Sequence, residues 1–134
     1  MASVHYASRF SAIVAAVSGT ALTYLYHRNS GWNASLVVSI FGVLAGMVAY
    51  GLVYWVSFSR LGKARPILGW WRGSAIGLGT FLIVVMLHTA FFPGHGGFFV
   101  SLAPVLLIGI VMFGWAVAIV GACVGAFCER QYFA

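Results

Sequence analysis

The chain has 134 residues, of which 63% are hydrophobic and only 6% are charged. A soluble domain carries about a quarter charged residues, so this composition excludes a water-soluble domain and predicts an integral membrane protein. The formal net charge of +6 comes from seven basic residues and a single acid. This scarcity of carboxylates argues against acid–base catalysis and against proton-coupled transport.

Four apolar stretches follow one another along the chain, separated by short polar segments. They cover residues 10–26, 34–59, 73–92 and 98–128. Each reaches the roughly 17–25 residues that a membrane-spanning helix needs, and none shows the alternation of a membrane β-strand. The sequence therefore predicts one all-α domain over 1–134, a compact antiparallel bundle of four transmembrane helices.

The basic residues are distributed unevenly between the connections. Arg60, Lys63, Arg65 and Arg72 lie between the second and third stretches, Arg28 lies in the first connection, and the third connection has none. Loops rich in Lys and Arg stay on the cytoplasmic side of a membrane. Both termini are therefore predicted to be cytoplasmic, in a bacterial cytoplasmic (inner) membrane.

Two tryptophans lie beside the basic residues of the second connection. Basic side chains beside Trp suit the headgroup layer and attract anionic lipid, by roughly 1 kcal/mol per Lys or Arg. The segment is short and lies against the bilayer, so we do not expect it to bind nucleic acid. The residues expected to contact lipid headgroups are Arg60, Lys63, Arg65, Trp70, Trp71 and Arg72.

Small residues recur on one face of each stretch when the spans are projected as helices. Such residues let helices approach closely in lipid. One arrangement joins all four faces in a tight bundle with little room for a large cavity. In another, the face of the fourth helix packs against a second subunit or another protein. The candidate packing positions are Gly42, Gly46, Gly73, Gly77, Gly114, Gly121 and Gly125.

Three histidines, His27, His88 and His95, lie at the predicted outer end. His88 shares its helix face with glycines, so we expect it to face the bundle as a polar residue close to water. Imidazoles suit zinc, copper, nickel and iron, but that end offers no carboxylate, thiolate or HxxxH pair. A short similarity between 19–27 and 79–88 would make His27 and His88 equivalent, and two such histidines can ligate a b-type haem. No other cofactor is expected.

The sequence contains no pattern typical of an enzyme, such as a nucleophile with its base, a metal-binding acidic cluster or a phosphate-binding loop. The leading hypothesis is a non-catalytic accessory or structural subunit of a membrane complex, bound to its partner through small-residue faces. One alternative is a small homo-oligomeric channel or transporter of a lipid or another solute. Another is a metal- or haem-binding membrane protein that uses His88.

Overall fold

The structure, a computed structural model, describes residues 2–28, 34–63, 66–91 and 96–133, and these residues are almost entirely helical. The last three helical segments follow one another without a break, so the described chain consists of four helical rods. In chain order, the elements are α1 (Ala2–His27), α2 (Ala34–Ser59), α3 (Gly69–Phe91), α4 (Phe98–Gly109), a π turn (Ile110–Gly114) and α5 (Trp115–Tyr132). The prediction of an all-α protein is confirmed.

Three rods of the described chain are long and apolar enough to cross a membrane: Leu36–Ser59, Gly69–Phe91 and Phe98–Tyr132. The sequence predicted four such spans, and α1 is not among the three. Arg9, two histidines and a series of hydroxyl side chains lower the hydropathy of α1. This helix also begins at Ala2, well before the predicted start of the first apolar stretch.

Helices α1 and α2 form a closely packed antiparallel pair through small residues. A Cβ atom added to Gly46 would lie 3.1 Å from the carbonyl oxygen of Ala12 and 3.3 Å from the Cβ of Ala16. Further along, Gly42 faces Thr20, so residue numbers rise in one helix as they fall in the other. The predicted packing positions of the second stretch therefore lie in this interface.

Helices α3 and α5 form a second antiparallel pair, in which backbone meets backbone. A Cβ atom added to Gly121 would lie 2.5 Å from the carbonyl oxygen of Gly73, and one added to Gly125 would lie 2.7 Å from the Gly73 Cα. Gly77 continues this contact, with an added Cβ 3.3 Å from the Gly121 Cα. The glycine face of the fourth rod thus packs against α3 within the described chain, and its binding to a second protein stays a prediction.

The fourth rod is irregular at its middle. Pro104 lies inside α4 and has no N–H for the helical ladder, and the π turn follows one and a half turns later. Gly114 ends this turn and is buried. A Cβ atom added to Gly114 would meet Ile110 of the same rod and no other described helix within 4 Å, so Gly114 does not lie in a contact between the described rods.

The rods share two ends with different character. At the first end lie both termini of the described chain and the segment before α3. We call it the basic end because it contains Arg60, Lys63, Arg72 and Arg130. The opposite end, which we call the histidine end, contains His88. The buried apolar core gathers at the basic end and comprises Val4, Ala7, Val53, Ile67, Leu68, Cys128 and Phe133.

Candidate functional site: a cavity between the helix pairs

A cavity of about 720 Å³ lies between the α1–α2 pair and the rods that follow, and all four rods line it. We call it the lateral cavity. Its volume falls within the roughly 300–1,000 Å³ of small-molecule sites in proteins. The sequence predicted little room for such a space. The difference arises because the small residues are used within the two helix pairs and do not draw the pairs together.

The cavity forms where α1 separates from the fourth rod. Near the basic end the two rods touch, since the rings of Phe10 and Phe127 lie 4.8 Å apart and the Ser11 hydroxyl is 4.0 Å from the Cys128 sulfur. Further along, α1 lines one side of the cavity and α4 lines the other. Leu25 and Ile108 belong to these two walls yet are 48% and 57% exposed. The cavity therefore opens sideways between α1 and α4.

The other limit of the cavity is closed by the apolar core at the basic end. Val53 and Leu68 line the cavity and are only 3% and 2% exposed. Both belong to the core cluster that also contains Val4 and Cys128. The lateral cavity consequently has a sealed apolar floor and runs from there toward the histidine end.

The walls of the cavity are apolar in their chemistry. The Thr23 hydroxyl donates to the Gly19 carbonyl at 2.7 Å, and the Thr80 hydroxyl donates to the Ile76 carbonyl at 2.9 Å. These hydroxyls are bonded to carbonyl groups of their own helices. Among the described residues that line it, none is Asp, Glu, Lys or Arg.

The π turn of the fourth rod contributes to one wall. Met112 and Phe113, which belong to it, line the cavity beside Gly109 and Phe81. A Cβ atom added to Gly109 would lie 3.2 Å from the Phe81 ring, so the ring occupies the space that this glycine leaves. Single π turns inside α-helices frequently occur at functional sites, and this one borders the lateral cavity.

His88 lies at the histidine end of the cavity within a group of rings. Its imidazole is 5.2 Å from the Tyr26 ring in an edge-on arrangement and 4.9 Å from the Phe41 ring. All three side chains line the cavity. His88 therefore faces the interior of the described fold, where its ring contacts the rings of Tyr26 and Phe41.

The three-histidine metal site lies partly outside the described chain. The side chain of His27 and the whole of His95 are not among the described residues, so their distances from His88 are not defined. Where the structure describes the chain, no group of three or more His, Cys, Asp or Glu side chains is arranged to hold a metal ion. Metal and haem binding at His88 stay predictions.

At the basic end, the acid of the chain has a structural role that the sequence did not reveal. The Glu129 carboxylate accepts hydrogen bonds from the backbone N–H groups of Ile67 at 3.1 Å and Leu68 at 2.9 Å. Arg72 donates to the Pro66 carbonyl at 2.9 Å. These bonds satisfy backbone groups just before α3, which otherwise lack helical partners. No spacing in the sequence could signal this, because the partners are backbone atoms far along the chain.

The residues predicted to contact lipid headgroups lie together at the basic end, apart from Arg65, which is outside the described residues. Lys63 is exposed in the turn after α2. Trp70, Trp71 and Arg72 belong to the first turn of α3, which begins at Gly69, whereas the sequence placed them in the connection. Both indoles point outward, with 65% and 71% of their surfaces exposed.

An aromatic row on α2 was missed by the sequence reasoning. The His5 ring nitrogen Nδ1 is 3.2 Å from the Tyr50 hydroxyl. The rings of Tyr50, Tyr54 and Phe58 stack in sequence, with centroids 6.2 Å and 5.9 Å apart. Aromatic residues spaced four apart on a helix share a face, and that spacing was the available signal. This row contacts α1 through His5, whose ring also lies 5.5 Å from the Tyr54 ring.

No protein-family model matches the chain, and neither the curated proteins nor the solved structures contain a match.

Proposed function

We propose that the protein is a non-catalytic integral membrane protein that takes a hydrophobic molecule from the bilayer into the lateral cavity, as a small lipid-binding or lipid-transporting protein. One observation carries this proposal: an apolar space of about 720 Å³ is open sideways between α1 and α4. In a membrane, such an opening faces hydrocarbon. A bilayer component can then enter without crossing water.

The wall chemistry supports a hydrocarbon occupant over a water-filled ion path. Apolar cavities stay dry, because water needs two to four polar partners to be retained. Thr23 and Thr80 already use their hydroxyls within their own helices. Among the described residues, the lining also lacks the carboxylates that cation pathways use, so the proposal does not extend to an ion channel or to an enzyme.

The test is to purify the protein in mild detergent and to measure the small molecules that remain bound by native mass spectrometry. Ala116 lines the cavity, and Ala116→Phe fills part of it. Ala103 is exposed on α4 and does not line the cavity, so Ala103→Phe is the matched control. We expect Ala116→Phe to lower the affinity for the bound molecule about tenfold, the effect of losing two buried methylene contacts, and so to lower the bound fraction. Equal occupancy in both variants would contradict the proposal.

A second candidate function, the accessory subunit, is favoured by a shallow groove on the outer side of the α1–α2 pair. It has a volume of about 460 Å³, and its floor consists of Ala12, Ala16 and Gly46. Ile13 and Met47 stand exposed at its rim. A floor of small residues between apolar ridges suits a transmembrane helix of another protein.

Mass spectrometry of complexes extracted gently from the native membrane tests this candidate. Val43 lines the groove, and Val111 is similarly exposed on the fourth rod. An accessory subunit gives a heteromeric mass that Val43→Trp abolishes and Val111→Trp preserves. A homo-oligomer would instead favour the transporter, and a free monomer would remove the support for a partner.

We propose that both termini face the cytoplasm of a bacterial inner membrane, with the basic end in contact with anionic lipid. The support is the clustering of Lys63, Arg72 and Arg130 with exposed indoles at one end, as loops rich in Lys and Arg stay inside. Lys63→Cys should react with a membrane-impermeant maleimide only after the cells are opened. Labelling in intact cells would reverse the topology.

A further inference from the structure

We propose that the lateral cavity holds one single-chain amphiphile, a long-chain carboxylate, with its methyl end at the basic end and its headgroup beside Tyr26 and His88. This inference rests on the proposed function and adds the ligand class and the orientation. It follows from the size of the cavity, from the position of its polar groups and from the charge at the histidine end.

The size of the cavity matches one hydrocarbon chain of a lipid. Water occupies about 30 Å³ per molecule in the liquid, and a methylene group is of similar size. The cavity of about 720 Å³ therefore holds about two dozen such groups. One chain of about eighteen carbons with a small headgroup fills this space, whereas both chains of a phospholipid exceed it.

The polar groups of the lining favour one orientation of this chain. At the floor, Val53 and Leu68 offer only hydrocarbon, and the Ser11 hydroxyl, whose residue also lines the cavity, lies 4.0 Å from the Cys128 sulfur. At the opposite end, the lining includes Tyr26 and His88, whose side chains carry a hydroxyl and an imidazole. A polar headgroup at the floor would lose its hydration without a partner. The methyl end therefore lies at the floor.

The charge at the histidine end favours an anionic headgroup. Arg28 is exposed two residues beyond Tyr26. Within the described chain, it is the one Lys, Arg, Asp or Glu residue at this end. The described part of this end therefore has a net positive charge, which attracts a carboxylate and repels a cationic headgroup. Long-chain carboxylates also partition into bilayers, which is the side to which the cavity opens.

The first part of the test measures binding with nitroxide-labelled stearic acid added to the protein in phosphatidylcholine vesicles. Electron paramagnetic resonance separates lipid that the protein immobilises from lipid that moves freely. We expect an immobilised component with the wild type and with Ala103→Phe, and an affinity about tenfold lower with Ala116→Phe. Nitroxide-labelled phosphatidylcholine should show no cavity-dependent component.

The second part measures orientation by distances between two nitroxides. One is attached to Lys63→Cys at the basic end, in a Cys123→Ser background, because Cys123 is exposed while Cys128 is buried. The other is placed on stearic acid, either near the methyl end or near the carboxylate. The methyl-end label should lie closer to position 63 than the carboxylate-end label does.

The possible results separate this inference from the proposed function. Immobilised stearate with the reverse order of distances overturns the orientation alone. Cavity-dependent immobilisation of phosphatidylcholine in place of stearate overturns the single-chain ligand and leaves lipid binding intact. If Ala116→Phe changes neither probe, both the inference and the proposed function are wrong.

Discussion

The carboxylate of Glu129, near the end of α5, accepts the backbone N–H of Leu68 at 2.9 Å, just before α3 begins. The same oxygen accepts the N–H of Ile67. These bonds tie the last helix to the third where Gly125 meets the backbone of Gly73. A charged acceptor makes each bond about twice as strong as a neutral one. The single acid of the chain thus stabilises the α3–α5 pair.

Replacement of this acid should destabilise the protein. Glu129→Ala leaves two partly buried N–H groups without their acceptor, so we expect a loss of about 2–3 kcal/mol in the free energy of unfolding. Glu129→Gln keeps an acceptor without its charge and should lose about half as much. Unfolding in mixed detergent micelles gives both values. Arg130→Ala, at an exposed neighbour, is the control; equal effects at 129 and 130 would show that the bonds contribute nothing.

The backbone contact of α3 with α5 predicts a strong dependence on glycine. In Gly121→Ala, the new Cβ would lie 2.5 Å from the Gly73 carbonyl oxygen, so the helices must separate, at a cost of about 2 kcal/mol or more. Gly51 is also helical but has no neighbour within 4 Å of an added Cβ. Gly51→Ala should therefore raise stability by about 0.5–1 kcal/mol.

Unfolding of the two variants under identical conditions checks this opposite pair of effects. The protein should also keep its native oligomeric state in Gly121→Ala, since this face packs within the chain. If Gly121→Ala kept its stability and lost only the binding of a partner, this result would contradict the contact within the chain. It would instead favour a contact of the glycine face with another protein.

The helices and their small-residue faces were predictable because both depend on local sequence. Runs of apolar residues set the positions of α2, α3 and the fourth rod, and 3.6-residue periodicity places Gly73 and Gly77 on one face. Periodicity identifies a face but not its partner. The pairing of Gly73 with Gly121 and Gly125 depends on the order in which the helices pack.

The lateral cavity was not predictable for a related reason. Its width depends on the angle at which α1 leaves the fourth rod beyond the contact of Phe10 with Phe127. That angle results from packing at the basic end, where residues distant in sequence such as Val4, Leu68 and Cys128 form one cluster. A composition rich in Gly and Ala predicts close helix contacts, and it says nothing about where those contacts stop.

A buried hydroxyl at the basic end gives a stabilising prediction. Ser57 is fully buried, and its Oγ has no hydrogen-bond partner among the described residues. A buried polar group without a partner costs roughly 1–3 kcal/mol. Ser57→Ala removes the hydroxyl and improves helix propensity, so we expect the free energy of unfolding to rise by about 1 kcal/mol. Ser59→Ala is the control, because the exposed Ser59 hydroxyl bonds to the Val56 carbonyl at 3.0 Å. A loss of stability in Ser57→Ala would reveal an acceptor or a bound water.

The ring contacts of His88 separate its packing role from its polar role. His88→Ala removes contacts with the Tyr26 and Phe41 rings and should cost about 2 kcal/mol. His88→Phe keeps a ring in the same place and should stay within about 1 kcal/mol of the wild type. Because it lacks the ring nitrogens, His88→Phe should still bind labelled stearate several-fold more weakly. Unfolding and stearate titration of both variants give these values.

Two results would contradict this division of roles. Equal destabilisation by Ala and Phe would mean that bonds of the imidazole nitrogens, and not ring packing, hold His88 in place. Unchanged stearate binding in His88→Phe would show that the imidazole does not contribute to binding of the headgroup. The position of His88 at the lining motivates that assignment. Absorbance and metal analysis of the same preparations test the haem and metal hypotheses. A signal that is present in the wild type and absent in His88→Phe would show that His88 binds a cofactor. Its role would then be cofactor binding and not contact with a lipid headgroup.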